Sequence, residues 1–406
     1  MLQKTSFASL ALFALLEVTV VADWPQWRGP ARDGVASAFT PPATWPAQLT
    51  PKWRVPVGAG HASPVVAGNR VVLHARQGNR EIVAAYDLAT GKQLWQDGTD
   101  APYTVNPAAK GHGPGPKSTP AIAGGRVFTL GISGIFSAHD LATGKLLWRK
   151  NAPAAPPEYG TASSPIVDGA QVIAFLGGQN AGALTALDVA TGAVKWQWTG
   201  DGPGYASPIL ATFGGVRQIV TQSQTKILGV DAGTGRVLWE LPLKTPYEQN
   251  SVTPLVVQDR LVYAGLENPT VAVRIVANHG KAWSAQPQWR NDEVSMYMSS
   301  PAVSGSAIYG LSNKNRGQFF ALDAATGKTL WLSKGREAEN ASIVRAGEYL
   351  LMSTTNSELI VVRANPAKYE EVKRYAIADS ATWAHPAFTG RTIIVKDVDT
   401  LTAWSF

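Results

Sequence analysis

One pattern, Asp-x-x-Thr-Gly-x-x-x-Trp, constrains the fold of this chain more than any other feature. It occurs five times without a gap, from Asp87 to Trp95, Asp140 to Trp148, Asp188 to Trp196, Asp231 to Trp239 and Asp323 to Trp331. Each copy predicts a β-hairpin, because the Asp carboxylate can accept hydrogen bonds from the turn and Gly can adopt the left-handed conformation that closes it. The strand after the turn then carries its Trp on one face. Repetition of one such unit indicates a repeat architecture.

A second marker, usually a small residue followed by proline and an apolar strand, starts each repeat. It occurs at Ser63-Pro64, Thr119-Pro120, Ser164-Pro165, Ser207-Pro208, Thr253-Pro254, Ser300-Pro301 and His385-Pro386, with a degraded copy at Ala341-Ser342. These starts are 41 to 56 residues apart, a spacing typical of four-stranded propeller blades. Two units lack the full hairpin motif, since one has Trp289 after a longer turn and the other has Val372 where Trp is expected. Eight starts predict an all-β, eight-bladed β-propeller.

The two ends of the chain complete the last blade. Residues 401–404 correspond to the third strand of the eighth unit, which has no fourth strand after it, and residues 51–55 look like a lone fourth strand with Trp53 in the repeat register. Pairing the two strands would remove both exposed sheet edges. We therefore expect a propeller over residues 49–406 that is closed by an N-terminal strand and preceded by a covering segment at residues 23–48.

The first 22 residues indicate export. Lys4 provides a positive start, Phe7 to Leu16 is an apolar run, and Val20-Val21-Ala22 supplies small residues for cleavage. The apolar run is shorter than the ~20 residues that a membrane-spanning helix needs. We expect a signal peptide at residues 1–22 and a soluble periplasmic or secreted protein without a membrane span.

Composition excludes several kinds of chemistry. The sequence contains no cysteine, which excludes disulfides, acylation of an N-terminal cysteine, covalent c-type haem, thiolate zinc sites and thiol catalysis. Its 36 basic and 29 acidic residues include no run of five basic residues, so we expect no nucleic-acid partner. We also expect the protein to be a monomer. Residues 111–118 approach a phosphate-binding loop, but Pro116 deletes a backbone donor and a strand follows, so we expect no nucleotide site.

The Asp-x-x-Thr-Gly-x-x-x-Trp repeats resemble the tryptophan-docking motifs of the PQQ-like repeat propellers. That superfamily includes the quinoprotein alcohol dehydrogenases and the lipoprotein propeller of the outer-membrane β-barrel assembly machine, and the string DWPQWRGPARDG (residues 23–34) is similar to the mature start of its exported members. The resemblance implies that indoles dock between neighbouring blades at Trp53, Trp95, Trp148, Trp196, Trp239, Trp289 and Trp331. The chain departs from both relatives. It lacks the adjacent cysteines that lie beside the quinone in quinoprotein alcohol dehydrogenases, and it lacks the acylated cysteine that anchors the lipoprotein propeller.

Candidate ligand-binding residues come from the loops that enter each innermost strand, since ligands of propellers usually bind in the central funnel. Three residues before the blade starts, the chain carries His61, Lys117, Ala162, Tyr205, Ser251, Met298, Glu339 and Trp383. Residues next to these positions, and residues in the loops between the second and third strands, should face the same opening. Together these positions give the cofactor-binding candidates Arg76, Lys117, Asn250, Asn313, Arg316, Glu339, Asn340, Trp383 and His385.

These candidates leave the ligand open. A tricarboxylate quinone would need cations such as Arg76, Lys117 and Arg316. A calcium ion would need oxygen donors from Asn250, Glu339, Asn340 and Asp397. A water-filled ring would carry polar side chains in any case.

We interpret the chain as an exported binding or assembly-scaffold protein that acts on an unknown protein or small-molecule ligand through its funnel and loop face. The alternative is a quinoprotein dehydrogenase that uses PQQ and calcium to oxidise alcohols or sugars. The missing cysteine pair and the modest length favour binding, whereas the cationic and carboxamide residues keep the dehydrogenase open. A carbohydrate-directed enzyme is a third class, supported only by the aromatic funnel residues. The pattern identifies neither catalytic residues nor metal ligands.

Overall fold

The computed structural model describes residues 23–278 and 282–406, so the expected signal peptide lies outside the described residues. The described chain forms eight four-stranded antiparallel sheets, and in seven of them the four strands follow one another along the sequence. The eighth sheet has the order β1-β32-β31-β30 and joins the two ends of the chain. The predicted all-β, eight-bladed propeller is confirmed.

Strand β1 spans Thr50–Pro56 and belongs to the last blade. Blade 1 contains β2 (Val65–Ala67), β3 (Arg70–Gln77), β4 (Arg80–Asp87) and β5 (Gln93–Asp100). Blade 2 contains β6 (Ala121–Ala123), β7 (Arg126–Leu130), β8 (Phe136–Asp140) and β9 (Leu146–Lys150). Blade 3 contains β10 (Ile166–Asp168), β11 (Gln171–Gly178), β12 (Ala181–Asp188) and β13 (Val194–Trp198). Blade 4 contains β14 (Ile209–Phe213), β15 (Val216–Gln222), β16 (Lys226–Asp231) and β17 (Val237–Pro242).

The second half of the ring repeats this order. Blade 5 contains β18 (Leu255–Val257), β19 (Arg260–Tyr263), β20 (Thr270–Val276) and β21 (Ser284–Asn291). Blade 6 contains β22 (Ala302–Ser304), β23 (Ala307–Ser312), β24 (Gln318–Asp323) and β25 (Thr329–Leu332). Blade 7 contains β26 (Ala341–Ala346), β27 (Tyr349–Thr354), β28 (Glu358–Arg363) and β29 (Glu371–Ala376). Blade 8 contains β30 (Ala387–Thr389), β31 (Thr392–Lys396), β32 (Thr400–Ser405) and β1, and short 3₁₀ helices span Pro107–His112, Pro246–Glu248 and Lys314–Arg316.

The hairpin motif forms the turn that its residues predict. In blade 3, Asp188 Oδ1 accepts hydrogen bonds from the backbone N–H and the hydroxyl of Thr191, both at 2.9 Å. These bonds lower the pKa of the Asp188 carboxyl. Gly192 closes the turn at φ +69°, a conformation that favours glycine. The same Asp–Thr bonds recur in the other four copies of the motif.

The repeated indoles join neighbouring blades. Trp148 of blade 2 is buried, and its Nε1 donates to the carbonyl oxygen of Val189 in blade 3 at 3.1 Å. Bonds from an indole to a carbonyl of the following blade are also made by Trp53, Trp95, Trp196, Trp289 and Trp331. Trp239 differs, because its Nε1 donates to Gln218 Oε1 within its own blade, and blade 5 replaces the motif turn by a longer connection.

Strand β1 closes the ring. It pairs antiparallel with β32 over its whole length, with Trp53 opposite Ala403 and Thr50 opposite Ser405. The Trp53 indole is buried and reaches across to the Leu88 carbonyl of blade 1 at 2.9 Å. The described sheet of blade 8 therefore has no missing strand, and the predicted closure by an N-terminal strand is confirmed.

The segment before β1 does more than cover a surface, because residues 24–34 (the plug segment) enter the central channel. Arg28 donates to the carbonyl oxygens of Ser300 and Pro301 in blade 6 at 2.8 and 2.5 Å. Arg32 donates to those of Pro165 and Ser164 in blade 3 at 2.8 and 3.1 Å. The guanidinium fork matches the carbonyls at the entrances of the innermost strands. Burial lowers the pKa of Arg28 to about 10 and that of Arg32 to about 9.

No helix in the described part of the chain has the length and apolar character needed to cross a membrane.

Candidate functional site

A cavity of about 490 Å³ lies where the loops enter the innermost strands, and we call it the central cavity. Every blade contributes at least one residue to its wall, at positions three residues before the blade starts or close to them. Seven of the eight positions derived from the repeat lie in the wall, namely His61, Lys117, Ala162, Tyr205, Ser251, Met298 and Trp383. The eighth, Glu339, is exposed outside the wall, and its neighbour Asn340 lines the cavity instead. The degraded start of blade 7 therefore shifts the wall position by one residue.

Four of the nine cofactor-binding candidates line the central cavity: Lys117, Asn340, Trp383 and His385. The other five, Arg76, Asn250, Asn313, Arg316 and Glu339, do not. Arg316 is exposed, and it ends the 3₁₀ helix between β23 and β24. The structure therefore brings the candidates from blades 2, 7 and 8 together and leaves the rest apart.

Two of the remaining candidates brace loops. Arg76 is buried and donates to the carbonyl oxygens of Pro114 and Ala101 at 2.8 and 2.5 Å. Asn250 is fully buried, and the two N–H groups of its Nδ2 lie within hydrogen-bond distance of the backbone carbonyls of Ser223, Gln224 and Leu243. Both side chains are therefore used on backbone carbonyls of neighbouring loops and not on the central cavity.

Several wall residues lie outside the repeat positions. The insertion between blades 1 and 2 brings His112 to the cavity at the end of its 3₁₀ helix, and Trp27 reaches it from the plug segment. Loop tyrosines add Tyr159, Tyr247 and Tyr297. The length and glycine content of the insertion are the sequence signal for His112, whereas the three tyrosines lie in connections between blades that carry no repeat signature.

The wall is largely aromatic. The rings of His112 and Trp383 lie 4.6 Å apart between centroids, and those of Trp27 and His385 lie 4.1 Å apart. His61 Nε2 donates to the carbonyl oxygen of His112 at 3.0 Å, which holds the insertion against blade 1. Aromatic rings therefore bound the cavity in two places: His112 and Trp383 in the loops, and Trp27 and His385 next to the plug segment.

Among the described wall residues, Lys117 is the one side chain that is charged at neutral pH. Burial lowers the pKa of the Lys117 ammonium to about 8, and its Nζ donates to the Tyr159 carbonyl oxygen at 2.8 Å. Burial also lowers the pKa of His61 and of His385 to about 3, so both imidazoles are neutral. No aspartate, glutamate or arginine lies among the described wall residues. The central cavity is therefore weakly cationic.

This donor set does not fit PQQ with calcium. Calcium in proteins takes 6–8 oxygen ligands, usually with carboxylates among them. The described wall offers no carboxylate. Glu339 is exposed outside it, and Asp397 Oδ1 accepts a hydrogen bond from the backbone N–H of Thr400 at 2.8 Å. No cluster of three or more histidine or acidic side chains in the described chain is placed to hold a metal. A single lysine also stands where a tricarboxylate would need several cations.

Comparisons with known proteins identify relatives of this architecture. A family model described as outer membrane protein assembly factor BamB matches residues 47–109 and 79–333. The chain is similar to the outer membrane protein assembly factor BamB of Burkholderia pseudomallei, with 26% identity over 340 residues that cover 74% of this chain and 84% of that protein.

Two solved structures share the fold. The crystal structure of BamB from Moraxella catarrhalis superposes with a TM-score of 0.65 at 18% identity and covers 89% of this chain and 98% of that one. The quinohemoprotein alcohol dehydrogenase from Comamonas testosteroni superposes with a TM-score of 0.67 at 15% identity and covers 95% of this chain and 80% of that one. At these identities the likeness concerns the fold alone.

Proposed function

The chain belongs to the outer membrane protein assembly factor BamB family, and we propose that it is an exported scaffold that holds a partner protein on the loop face around its central cavity. Two relatives are named outer membrane protein assembly factors, and we propose that the partner of this chain is another protein that takes part in outer-membrane protein assembly. We also propose residues 1–22 as the export signal and the periplasm or the cell exterior as the place of action. Mass spectrometry of the exported protein should then find an N-terminus at Asp23.

The observation that supports a binding role is the construction of the loop face. Loops from all eight blades meet around one opening, and Tyr247 at its edge is 74% exposed. Exposed aromatic side chains beside a concave surface are typical of protein interfaces, because one ring contributes both apolar area and a hydrogen-bonding group.

A photo-cross-linking residue at Tyr247, introduced in cells of the source organism, tests the scaffold. We expect it to capture a component of outer-membrane protein assembly. The same residue at Val194, which is 54% exposed on the outermost strand of blade 3, is the matched control and should not capture it. Equal capture at both positions, or none at Tyr247, would contradict a partner on the loop face.

A PQQ-dependent dehydrogenase is the rival function, favoured by the fold that the chain shares with a quinohemoprotein alcohol dehydrogenase. We expect purified protein mixed with PQQ and calcium to show neither stoichiometric uptake in its absorption spectrum nor dye-linked oxidation of alcohols. Tight uptake of PQQ together with catalytic oxidation of an alcohol would contradict the scaffold function and establish a dehydrogenase instead.

A further inference from the structure

The lysine in the wall of the central cavity has no acidic partner there. Lys117 is partly exposed and lines the cavity from the loop that enters blade 2. Its Nζ uses one of its three N–H donors on the Tyr159 carbonyl oxygen at 2.8 Å. No aspartate or glutamate lies among the described wall residues, and burial alone lowers the pKa of the ammonium. Because a cation withdrawn from water without a counter-charge is costly, this position favours an anion from outside the chain.

Three rings lie beside this lysine on the side of blades 8 and 1. The ring centroid of His112 is 4.6 Å from that of Trp383 and 5.7 Å from that of His61. Burial first, and the charge of Lys117 in addition, lower the pKa of both imidazoles, so both lie within reach of the ammonium. All three rings line the cavity and are partly exposed.

A pair of tyrosines lies next to the same lysine. Tyr159, which supplies the carbonyl oxygen, has its ring centroid 6.0 Å from that of Tyr205, and both side chains are partly exposed in the wall. The greater part of the accessible wall is apolar, and the volume of about 490 Å³ falls in the range of small-molecule sites. Aromatic rings pack favourably against other aromatic rings, so a flat apolar ring system fits between these groups.

The charges of the wall limit the ligand to one acid group. A ligand with two or three carboxylates would bury charge that a single lysine cannot balance. A neutral ligand would leave the ammonium of Lys117 without a counter-charge. A ligand covered with hydroxyl groups would exchange hydrogen bonds to water for a mainly apolar surface.

We infer that the central cavity binds a small aromatic monocarboxylate, with its carboxylate on Lys117 and its ring system among His112, Trp383 and Tyr159. This site goes beyond the scaffold role. Titration of the purified protein tests it without any partner protein, so failure of this site and failure of the scaffold are distinguishable.

Calorimetric titration of the purified protein with 2-naphthoate provides the test, and the neutral 2-naphthamide is the matched ligand. We expect saturable binding of the acid, and binding of the amide that is weaker by about tenfold or more because the amide lacks the charge. Lys117→Met should reduce binding of the acid to the level of the amide and leave binding of the amide unchanged. Lys117→Arg retains the charge and should retain the preference.

The pH tests the same contact without a substitution. Burial lowers the pKa of Lys117 to about 8, so the free protein loses this charge as the pH rises above 8. A bound carboxylate raises that pKa again, so the affinity for 2-naphthoate should fall by up to about tenfold per pH unit above 8, whereas the affinity for the amide should stay constant. Lys117→Arg should abolish this fall, because arginine stays protonated.

Other groups near Lys117 do not account for such a fall. Burial lowers the pKa of the neighbouring imidazoles below the usual 6.5 and raises that of the neighbouring phenols above the usual 10; these groups belong to His61, His112, Tyr159 and Tyr205. Glu158 adjoins the tyrosine pair but is exposed outside the wall. Burial lowers the pKa of Lys396 to about 8 as well, but its Nζ donates to three backbone carbonyls outside the wall. An effect of Lys396 would persist in Lys117→Arg.

Octanoate, which has the charge and an apolar body but no ring, tests the aromatic part. It should bind more weakly than 2-naphthoate by about threefold or more, and Trp383→Leu should reduce this difference. Lys110→Met removes an exposed lysine of the same insertion and should change none of the titrations.

Five results would overturn the inference. They are equal binding of 2-naphthoate and its amide, equal binding of octanoate and 2-naphthoate, no effect of Lys117→Met on the acid, a fall above pH 8 that is absent from the unaltered protein or persists in Lys117→Arg, and no binding of 2-naphthoate at millimolar concentration.

Discussion

A single added methyl group can test whether the repeated indoles lock the blades together. Gly192 closes the hairpin turn of blade 3 at φ +69°, and a Cβ at this position would lie 2.8 Å from the indole of Trp148. Gly169, in the first turn of the same blade, has φ +57° and no atom within 4 Å of the corresponding Cβ. The two glycines share the backbone requirement and differ in the indole contact, so Gly169→Ala is the matched control for Gly192→Ala.

The expected magnitudes follow from that difference. An alanine in the left-handed conformation costs roughly 1–2 kcal/mol, which is the whole expected effect of Gly169→Ala on the free energy of unfolding. Forcing a methyl into a filled space costs about 1–3 kcal/mol more, so Gly192→Ala should destabilise by ~2–5 kcal/mol. Trp148→Ala should cost ~3–5 kcal/mol, as for other buried aromatic side chains.

The double variant isolates the contact. Once the Trp148 indole is removed, the Gly192→Ala methyl has room, so the combined loss should be smaller than the sum of the single losses by ~1–3 kcal/mol. Urea unfolding followed by circular dichroism supplies the four free energies. Equal effects of the two glycine substitutions, or strict additivity in the double variant, would show that the indole does not pack on this turn.

Two further expectations concern the chain ends and acid. Removing residues 23–48 should lower the melting temperature but leave a monomer, whereas removing residues 23–56 also strips β1 from β32 and should cause edge-to-edge association in size-exclusion chromatography. If both truncated proteins stay monomeric, the closure by β1 is contradicted. Burial holds the pKa of His385 near 3, below its ordinary 6.5, so the unfolded chain takes up a proton that the folded chain refuses. The contribution of His385 to stability should therefore be complete above pH 6.5 and fall as the pH decreases from 6.5 towards 3, by up to about 1.4 kcal/mol per pH unit. Chemical unfolding across this range should show a smaller slope for His385→Gln, and an equal slope would contradict a neutral buried imidazole.

The ring could be predicted because each blade carries its own local signals. The Asp–Thr–Gly turn and its Trp lie within nine consecutive residues. A proline marks the start of the innermost strand in seven blades. Counting back from that proline locates the wall of the central cavity, since the last residues of each loop enter the channel in the same way although the loops differ in length. The count fails at Glu339, where no proline sets the register and Asn340 takes the wall position.

The remaining site residues could not be derived because residue type does not reveal side-chain direction. Arg76 and Asn250 have the chemistry of ligand-binding groups, yet both turn towards backbone carbonyls of neighbouring loops. Arg28 and Arg32 look like surface charges in the sequence and are buried at the channel axis. Their positions depend on carbonyls more than 100 residues away, which no local pattern encodes.

The pairing of β1 with β32 imposes an order on folding. Thr50 and Ser405 are 355 positions apart, yet their strands are adjacent. A ribosome delivers the N-terminal end first, so β1 must wait for the last blade before it can pair, whereas the arginines of the plug segment need only blades 3 and 6. Contacts of such long range form slowly, because the whole intervening chain has to be ordered first. Until then the nascent protein is an open crescent with an unpaired strand at its leading end, and a chaperone that shields this strand would act on the step at which the chain is most vulnerable to association.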